Sequence, residues 1–511
     1  MYNLNSLYNF KNPIRHFFNL DKVMFDASEN LQFSDLNWTA PVKFNIFKTD
    51  RSQRTISFPN ILNFYHAVKS FADEPLFYHI DQISQRKRVF PDLDTGEFST
   101  YSYYSSLKRD IFNLTKYDKL LILDIKSFYG RIYTHDLGFD GSSDKKLEQR
   151  VSSLYNGRTN GLLLGSYLSL YLAEIVLYKI EKVLDEGLKR SNIDCHYEYF
   201  SDDFYFFCNE TDVDDIKSIF AKALESFELS LNYDKIAEFD FEEYTKNNNL
   251  EKLWKKIIKL AEQKDKEGER ERKRIFSPIY TQLVYRLGHI SELKYKRIFL
   301  ANFFKTYYFV NLEPQKYVLS KSDMNYICYI YKLMPEAILY SLHKIKEIEG
   351  FDIDKFKDFV FARFNASLNG ERQEEQVYFY YAVKLCGFDS ELLRFKEKVL
   401  RTENQILISY YICDGLITKE DYQKYIDNHS ESEWLQNYHY LLKYDKSNTA
   451  ILIPEAVKKE NQRKSYTDFY KLNLDNDIPI IKPICQVTVD IERFLKIRLY
   501  IAKYTRKRFG V

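Results

Sequence analysis

Two adjacent carboxylates, Asp202 and Asp203, sit between aromatic runs in Tyr197-Glu198-Tyr199-Phe200-Ser201-Asp202-Asp203-Phe204-Tyr205-Phe206-Phe207. The alternation predicts two strands, with Ser201, Asp202 and Asp203 at or beside a tight hairpin turn. Neighbouring strand residues point to opposite faces, so normally only one of the two acids aims at a given site. An apolar hairpin with two acids at its tip is costly unless a cation meets them. Carboxylate oxygens suit a hard divalent ion such as magnesium. An acidic surface turn is the plain alternative.

Upstream, Lys119-Leu120-Leu121-Ile122-Leu123-Asp124-Ile125-Lys126-Ser127-Phe128-Tyr129 reads as a buried apolar strand running into one aspartate, with a helix-like segment from near Ser127. An acid at the end of such a strand, beside a hairpin with a second acid, is what two-metal phosphoryl transfer needs. One metal activates the attacking hydroxyl, the other steadies the leaving pyrophosphate, and bridging acids hold both. Between the strands lies Thr159-Asn160-Gly161-Leu162-Leu163-Leu164-Gly165-Ser166, followed by a helical pattern from about Leu170 to Leu188. Glycines there let backbone approach a substrate closely, and a plain loop with a helix cap is the alternative.

The order strand-Asp, Gly-xxx-Gly-Ser-helix, aromatic-Ser-Asp-Asp hairpin and Leu229-Ser230-Leu231-Asn232-Tyr233-Asp234-Lys235 resembles the palm motifs of reverse transcriptases. The resemblance implies two magnesium ions, for which manganese is a workable substitute, on Asp124 and Asp202. The Ile125 backbone carbonyl is a further ligand, and Asp203 a weaker or supporting one. It implies Gly165 in the nucleotide-binding loop and Lys235 as the proton donor to the leaving pyrophosphate. The stretch Phe44–Pro59 reads as two short strands around a polar turn and resembles the fingers hairpin of the family, with Lys48 and Arg54 gripping the triphosphate; a solvated basic hairpin is the alternative. Tyr129 stands where the family carries an aromatic ring under the sugar, which implies deoxynucleotides; a core tyrosine is its alternative in a chain with 43 of them. The family usually has Pro-Gln-Gly where this chain has Leu163-Leu164-Gly165, and leucine cannot supply the amide hydrogen bonds of that glutamine. This departure speaks against ordinary templated copying.

The resemblance covers residues 1–245, an expected α+β unit of reverse-transcriptase-like fingers and palm. Residues 246–511 read as an all-α, HEAT-like helical repeat domain, with helical spacing over about 250–264, 291–309, 321–347, 354–366, 373–401, 403–412 and 418–443. The run from Lys264 to Arg274 reads as a solvated helix face or linker. This layout looks like that of the bacterial abortive-infection (Abi) reverse transcriptases. That resemblance implies antiphage defence by untemplated, protein-primed synthesis from deoxynucleoside triphosphates, a covalently attached single-stranded DNA product, and a homo-oligomer in the bacterial cytoplasm. Tyr8 is the expected primer, because a phenol ionises more readily than a serine hydroxyl and terminal segments are the mobile ones. Two other readings stand beside it: a conventional templated reverse transcriptase of retron or intron type, and a nucleic-acid-binding scaffold with an inactive palm.

The 511 residues carry a net charge of only +2, so bulk charge does not announce nucleic acid, and 15 glycines and 11 prolines suit a mostly helical protein. The end of the chain is locally basic, with Arg493, Lys496, Arg498, Lys503, Arg506, Lys507 and Arg508 around Tyr500 and Tyr504. This pattern fits phosphate gripping and base stacking, or equally a terminal helix with a solvated basic face. Six scattered cysteines show no zinc-ligand spacing or disulfide framework, no signal peptide opens the chain, and no apolar run reaches membrane-spanning length.

Overall fold

A computed structural model describes residues 14–29, 31, 36–49, 52–72, 84, 86–89, 100–137, 145–247, 274–275, 277–426, 431–455 and 457–509. The expected primer Tyr8, the predicted helix over 250–264 and most of the charged run from Lys264 lie outside these residues.

The expected strand and hairpin form β3 (Lys119–Asp124), β4 (His196–Phe200) and β5 (Asp203–Cys208). With β6 (Ala237–Phe239) they make a four-stranded antiparallel sheet in the order β4-β5-β3-β6. Alternation divides its faces. Leu121, Leu123, Phe204 and Phe206 are fully buried in the main core. There Phe204 and Phe206 meet Phe220 of helix α6 (Val213–Glu225), at ring-centroid separations of 4.7 and 5.8 Å. Helix α5 (Tyr167–Arg190) packs on α6 closely enough that a Cβ at Gly187 would stand 2.6 Å from the Ile219 side chain. The other face carries Leu120 and Phe207 in a small separate cluster with Leu114 and Tyr244, and at its end the acids.

Before the sheet come the hairpin β1 (Val42–Thr49) and β2 (Ser52–Phe58), α1 (Ile61–Ala72) and α2 (Thr100–Asn113). Ion pairs hold α2 in place: Asp110 binds Arg88 in a buried pair, and the exposed Arg109 grips both oxygens of Glu198 on β4 at 3.0 and 3.1 Å. Opposed mainly by its burial, the pairing with His196 and the two arginines holds the Glu198 carboxyl down at about 2.

The remainder is mostly helical. The predicted segment 321–347 is two helices, α7 (Lys321–Leu333) and α8 (Ala337–Ile345), because Pro335 disfavours helical backbone at Met334. Segment 354–366 lies within α9 (Ile353–Asn369), and 373–401 is broken into α10 (Gln373–Leu385), a 3-10 turn and α11 (Lys396–Leu400). Segment 403–412 corresponds to α12 (Gln405–Cys413), and α13 (Trp434–Tyr444) packs against it. The basic end of the chain belongs to α14 (Ile484–Phe509), on which Arg493, Lys496 and Tyr500 are exposed. Among the described residues no helix is long and apolar enough to cross a membrane.

One continuous buried cluster runs from Ile14 to Leu495 and joins the two halves of the chain. The segment before β1 is stitched to the segment before α14: the Asn19 amide donates to the Ile480 carbonyl and the Lys482 amide to the Phe17 carbonyl, both at 2.7 Å. The hairpin is held as well. The Asn45 and Phe47 amides on the outer edge of β1 donate to Gln373 Oε1 (2.7 Å) and Glu374 Oε2 (2.8 Å) at the start of α10. The Arg297 guanidinium lies 3.3 Å from the centroid of the Phe47 ring. These side chains satisfy edge donors that a third strand would otherwise take.

Candidate active site

The acids meet because of register. Asp124 pairs directly with Asp203 across β3 and β5, and cross-strand partners share a sheet face. Asp202 stands in the two-residue turn beside them, and its carbonyl accepts the Ile125 amide at 3.0 Å. Asp203, expected as a weaker or supporting ligand, stands directly opposite Asp124 in this register. Burial first, then the charges of Asp202 and Asp124, push the Asp203 carboxyl up to about 7; burial chiefly, with help from Asp124, raises Asp202.

Asp124 is buried, and both its oxygens are taken: Asn232 Nδ2 donates to Oδ1 at 2.6 Å and Lys235 Nζ pairs with Oδ2. The Leu-x-Leu-Asn turn arrives there because Leu229 and Leu231 are buried and Leu231 bridges to Ile125. Lys235, expected as the proton donor to a leaving pyrophosphate, lies on Asp124. The sequence pattern assigns Asn232 no role of its own; its signal is its place three residues before Lys235 in the same turn.

Among the described residues no group of three His, Cys, Asp or Glu is arranged as a ready metal cage. The donor chemistry nevertheless fits a divalent cation. Three carboxylates, one of them raised to about 7 by burial and its neighbours, share one site with the Lys235 ammonium. Asp124, Asp202, Asp203 and the Ile125 carbonyl are the groups that would hold it.

Tyr129 opens onto the same turn. Its phenol and the Ser201 hydroxyl are 2.7 Å apart, and Ser201 occupies left-handed backbone with φ 54°. Burial raises the phenol, with the Ser201 contact and, more weakly, the Arg54 charge working in the opposite direction. Arg54 and Lys48 are both exposed, Lys48 at an irregularity between Phe47 and Thr49. The loop before α5 closes the gap between them. The Leu162 amide donates to the Tyr129 carbonyl and the Ser57 amide of β2 to the Leu164 carbonyl, each at 2.7 Å. Gly165 has φ 115°, where a side chain is strained. Helix α5 begins three residues earlier than the apolar pattern indicates, because the Ser166 hydroxyl caps it by accepting the Ser169 amide.

Two outcomes test this geometry. Tyr129→Val is expected to lower the preference for dNTP over NTP by roughly tenfold or more, whereas Tyr129→Phe, which keeps the ring and loses only the Ser201 contact, retains it. Competition assays with paired nucleotides decide, and an unchanged ratio in the Val variant makes Tyr129 a packing residue. Asp203→Asn is expected to stabilise the metal-free protein by about 1–2 kcal/mol at pH 8. The sign follows from a folded-state value above the unfolded one. The protonated acid favours the fold at low pH, and that contribution is lost as pH rises through about 7. Melting curves from pH 5 to 8 should show the gain shrinking toward pH 5; a gain independent of pH would remove the charge explanation.

No family model matches the chain, and no curated protein matches it. Among solved structures it is similar to apo telomerase from Candida tropicalis, with TM-score 0.31 and 12% identity over 82% of this chain and 70% of that one. It is also similar to telomerase from Candida albicans in complex with the TWJ fragment of telomeric RNA, with TM-score 0.32 and 12% identity over 78% and 65%. A third likeness is to the C. tropicalis apo telomerase truncated from its C-terminal domain, with TM-score 0.30 and 14% identity over 40% of this chain and half the length of that one.

Proposed function

We propose that the chain is a nucleotidyltransferase of reverse-transcriptase type that adds deoxynucleotides without a template, starting from one of its own tyrosines, in defence against phage. The observation that carries the reading is the convergence of Asp124, Asp202 and Asp203 at the end of a buried strand and the tip of its neighbouring hairpin. Two magnesium ions bound there would activate the attacking hydroxyl and stabilise the leaving pyrophosphate.

The chain's own residues supply the remainder. Arg54 and Lys48, on a hairpin held by Gln373, Glu374 and Arg297, present fixed positive charge to a triphosphate. The Tyr129 ring, steadied by Ser201, occupies the space a 2′-hydroxyl needs. Lys235, next to Asp124, is positioned to deliver a proton to the departing pyrophosphate. Leucines at 163 and 164, in place of a template-reading glutamine, support untemplated addition. The exposed Arg493, Lys496 and Tyr500 of α14 support a grip on a growing single strand. The helical half is read as a HEAT-like scaffold, and assembly into a homo-oligomer belongs to the same reading.

The test is incubation of purified protein with magnesium and each dNTP, with and without defined template, followed by gel analysis and mass spectrometry of the protein. Template-independent extension with a nucleotide on a tyrosine is expected. A product whose sequence a template dictates would favour conventional copying, and no incorporation at all would favour a nucleic-acid-binding scaffold. An adduct on a residue other than Tyr8 would exclude that primer alone.

A further inference from the structure

We propose that Lys235 is the resident counter-cation of Asp124 in the metal-free protein and exchanges with the first metal, while Asn232 is a positioning residue that holds the carboxylate through the exchange. The inference rests on the reading of Asp124 as a metal ligand.

The contacts on the carboxylate are unequal. The Asp124 side chain is 3% exposed and that of Lys235 47% exposed. A carboxylate so buried cannot stand without a compensating cation, and in this structure Lys235 provides it. Oδ1 is taken by Asn232 and Oδ2 by Lys235, so a metal gains Oδ2 only as the ammonium leaves. The half-exposed lysine, on its long stem, can swing into water at little cost.

Asn232 cannot leave so easily. Besides its side-chain contact, its backbone amide donates to the Asp124 carbonyl at 2.8 Å, and the Lys126 amide donates to the Ser230 carbonyl at the same distance. These two bonds flank the Ile125–Leu231 bridge and tie the segments together. The Asn232 amide is neutral and does not oppose a metal on the other oxygen. Its carbonyl accepts the Lys235 amide at 3.1 Å, so a displaced ammonium stays within one short turn of the site. Metal entry thereby frees a positive group beside the place where pyrophosphate charge develops, and a metal-free site keeps that group engaged on Asp124.

Two neighbours on one carboxylate therefore have opposite effects on metal affinity. In nucleotide-free protein, Mn²⁺ binding is measured by the loss of the free-ion electron paramagnetic resonance signal. Lys235→Met is expected to tighten binding by roughly fivefold or more, because the fraction of protein with Asp124 available rises. Asn232→Ala is expected to weaken it at least roughly threefold, because the carboxylate loses its anchor. Lys235→Arg, which keeps the cation, should stay near wild type. Should Lys235→Met fold poorly, Lys235→Gln serves in its place, and a Mn²⁺-dependent rise in melting temperature larger than that of wild type is the expected result. A lysine variant whose affinity is unchanged or weaker, or two variants that shift in the same direction, overturns the exchange while leaving the metal assignment intact. Wild-type protein that binds no Mn²⁺, or binds it equally well as Asp124→Asn, overturns both.

Discussion

Asp124→Asn is expected to reduce nucleotide addition by at least ~10³-fold, equivalent to about 4 kcal/mol of transition-state stabilisation. The substitution preserves shape and removes one charge from the acidic site. It also leaves one acceptor oxygen where the aspartate offers two, so either Asn232 or Lys235 loses its partner. The strand itself should survive, since Leu121 and Leu123 continue to fill the core and the charges of Asp202 and Asp203 face one fewer neighbour. Circular dichroism and melting curves establish the fold, and single-nucleotide extension measures the loss. A folded variant that extends at close to the wild-type rate would remove Asp124 from the chemistry. Asp202→Asn should behave alike, whereas Asp203→Asn retains measurable addition and gains stability.

Arg54→Ala should lower kcat/KM for dNTPs by roughly 30- to 1,000-fold, or about 2–4 kcal/mol, chiefly by raising the nucleotide concentration required. The motive is the exposed guanidinium on β2, whose charge is felt at Tyr129. The fold should not suffer, because the hairpin is anchored through Val42, Phe44, Ile46, Ile56 and Phe58 in the core and through Gln373 and Glu374 on its edge. Lys48→Ala should act in the same direction but less strongly, since an ammonium is a point charge without the bidentate fork of arginine. Initial rates over a range of dNTP concentrations separate KM from kcat. Rates unaffected by either change would identify the pair as a solvated basic hairpin.

Much of this arrangement was legible locally. An apolar run gave β3 its terminal acid, and period-two alternation put Ser201, Asp202 and Asp203 at or beside the turn between β4 and β5, because strand geometry depends on neighbours one and two residues away. The helix α5 was legible from its apolar pattern, whereas its start at Tyr167 was set by the positive φ of Gly165 and the Ser166 cap. The break at Pro335 was equally local, although the helical pattern ran through it.

The amino-acid sequence by itself determined which residues are acids at strand ends and which cations flank them. Only the tertiary structure decided who faces whom. Asp203 lies opposite Asp124 because of the β3–β5 register, which joins residues far apart in the chain and is set by packing on both sheet faces. Lys235 sits on Asp124 because Leu229 and Leu231 bury themselves beside Ile125. The hairpin is fixed by Gln373 and Glu374, more than 300 residues away in the chain. No periodicity encodes such contacts: side-chain alternation specifies a face, whereas the partner on that face is chosen by which surfaces the whole core brings together.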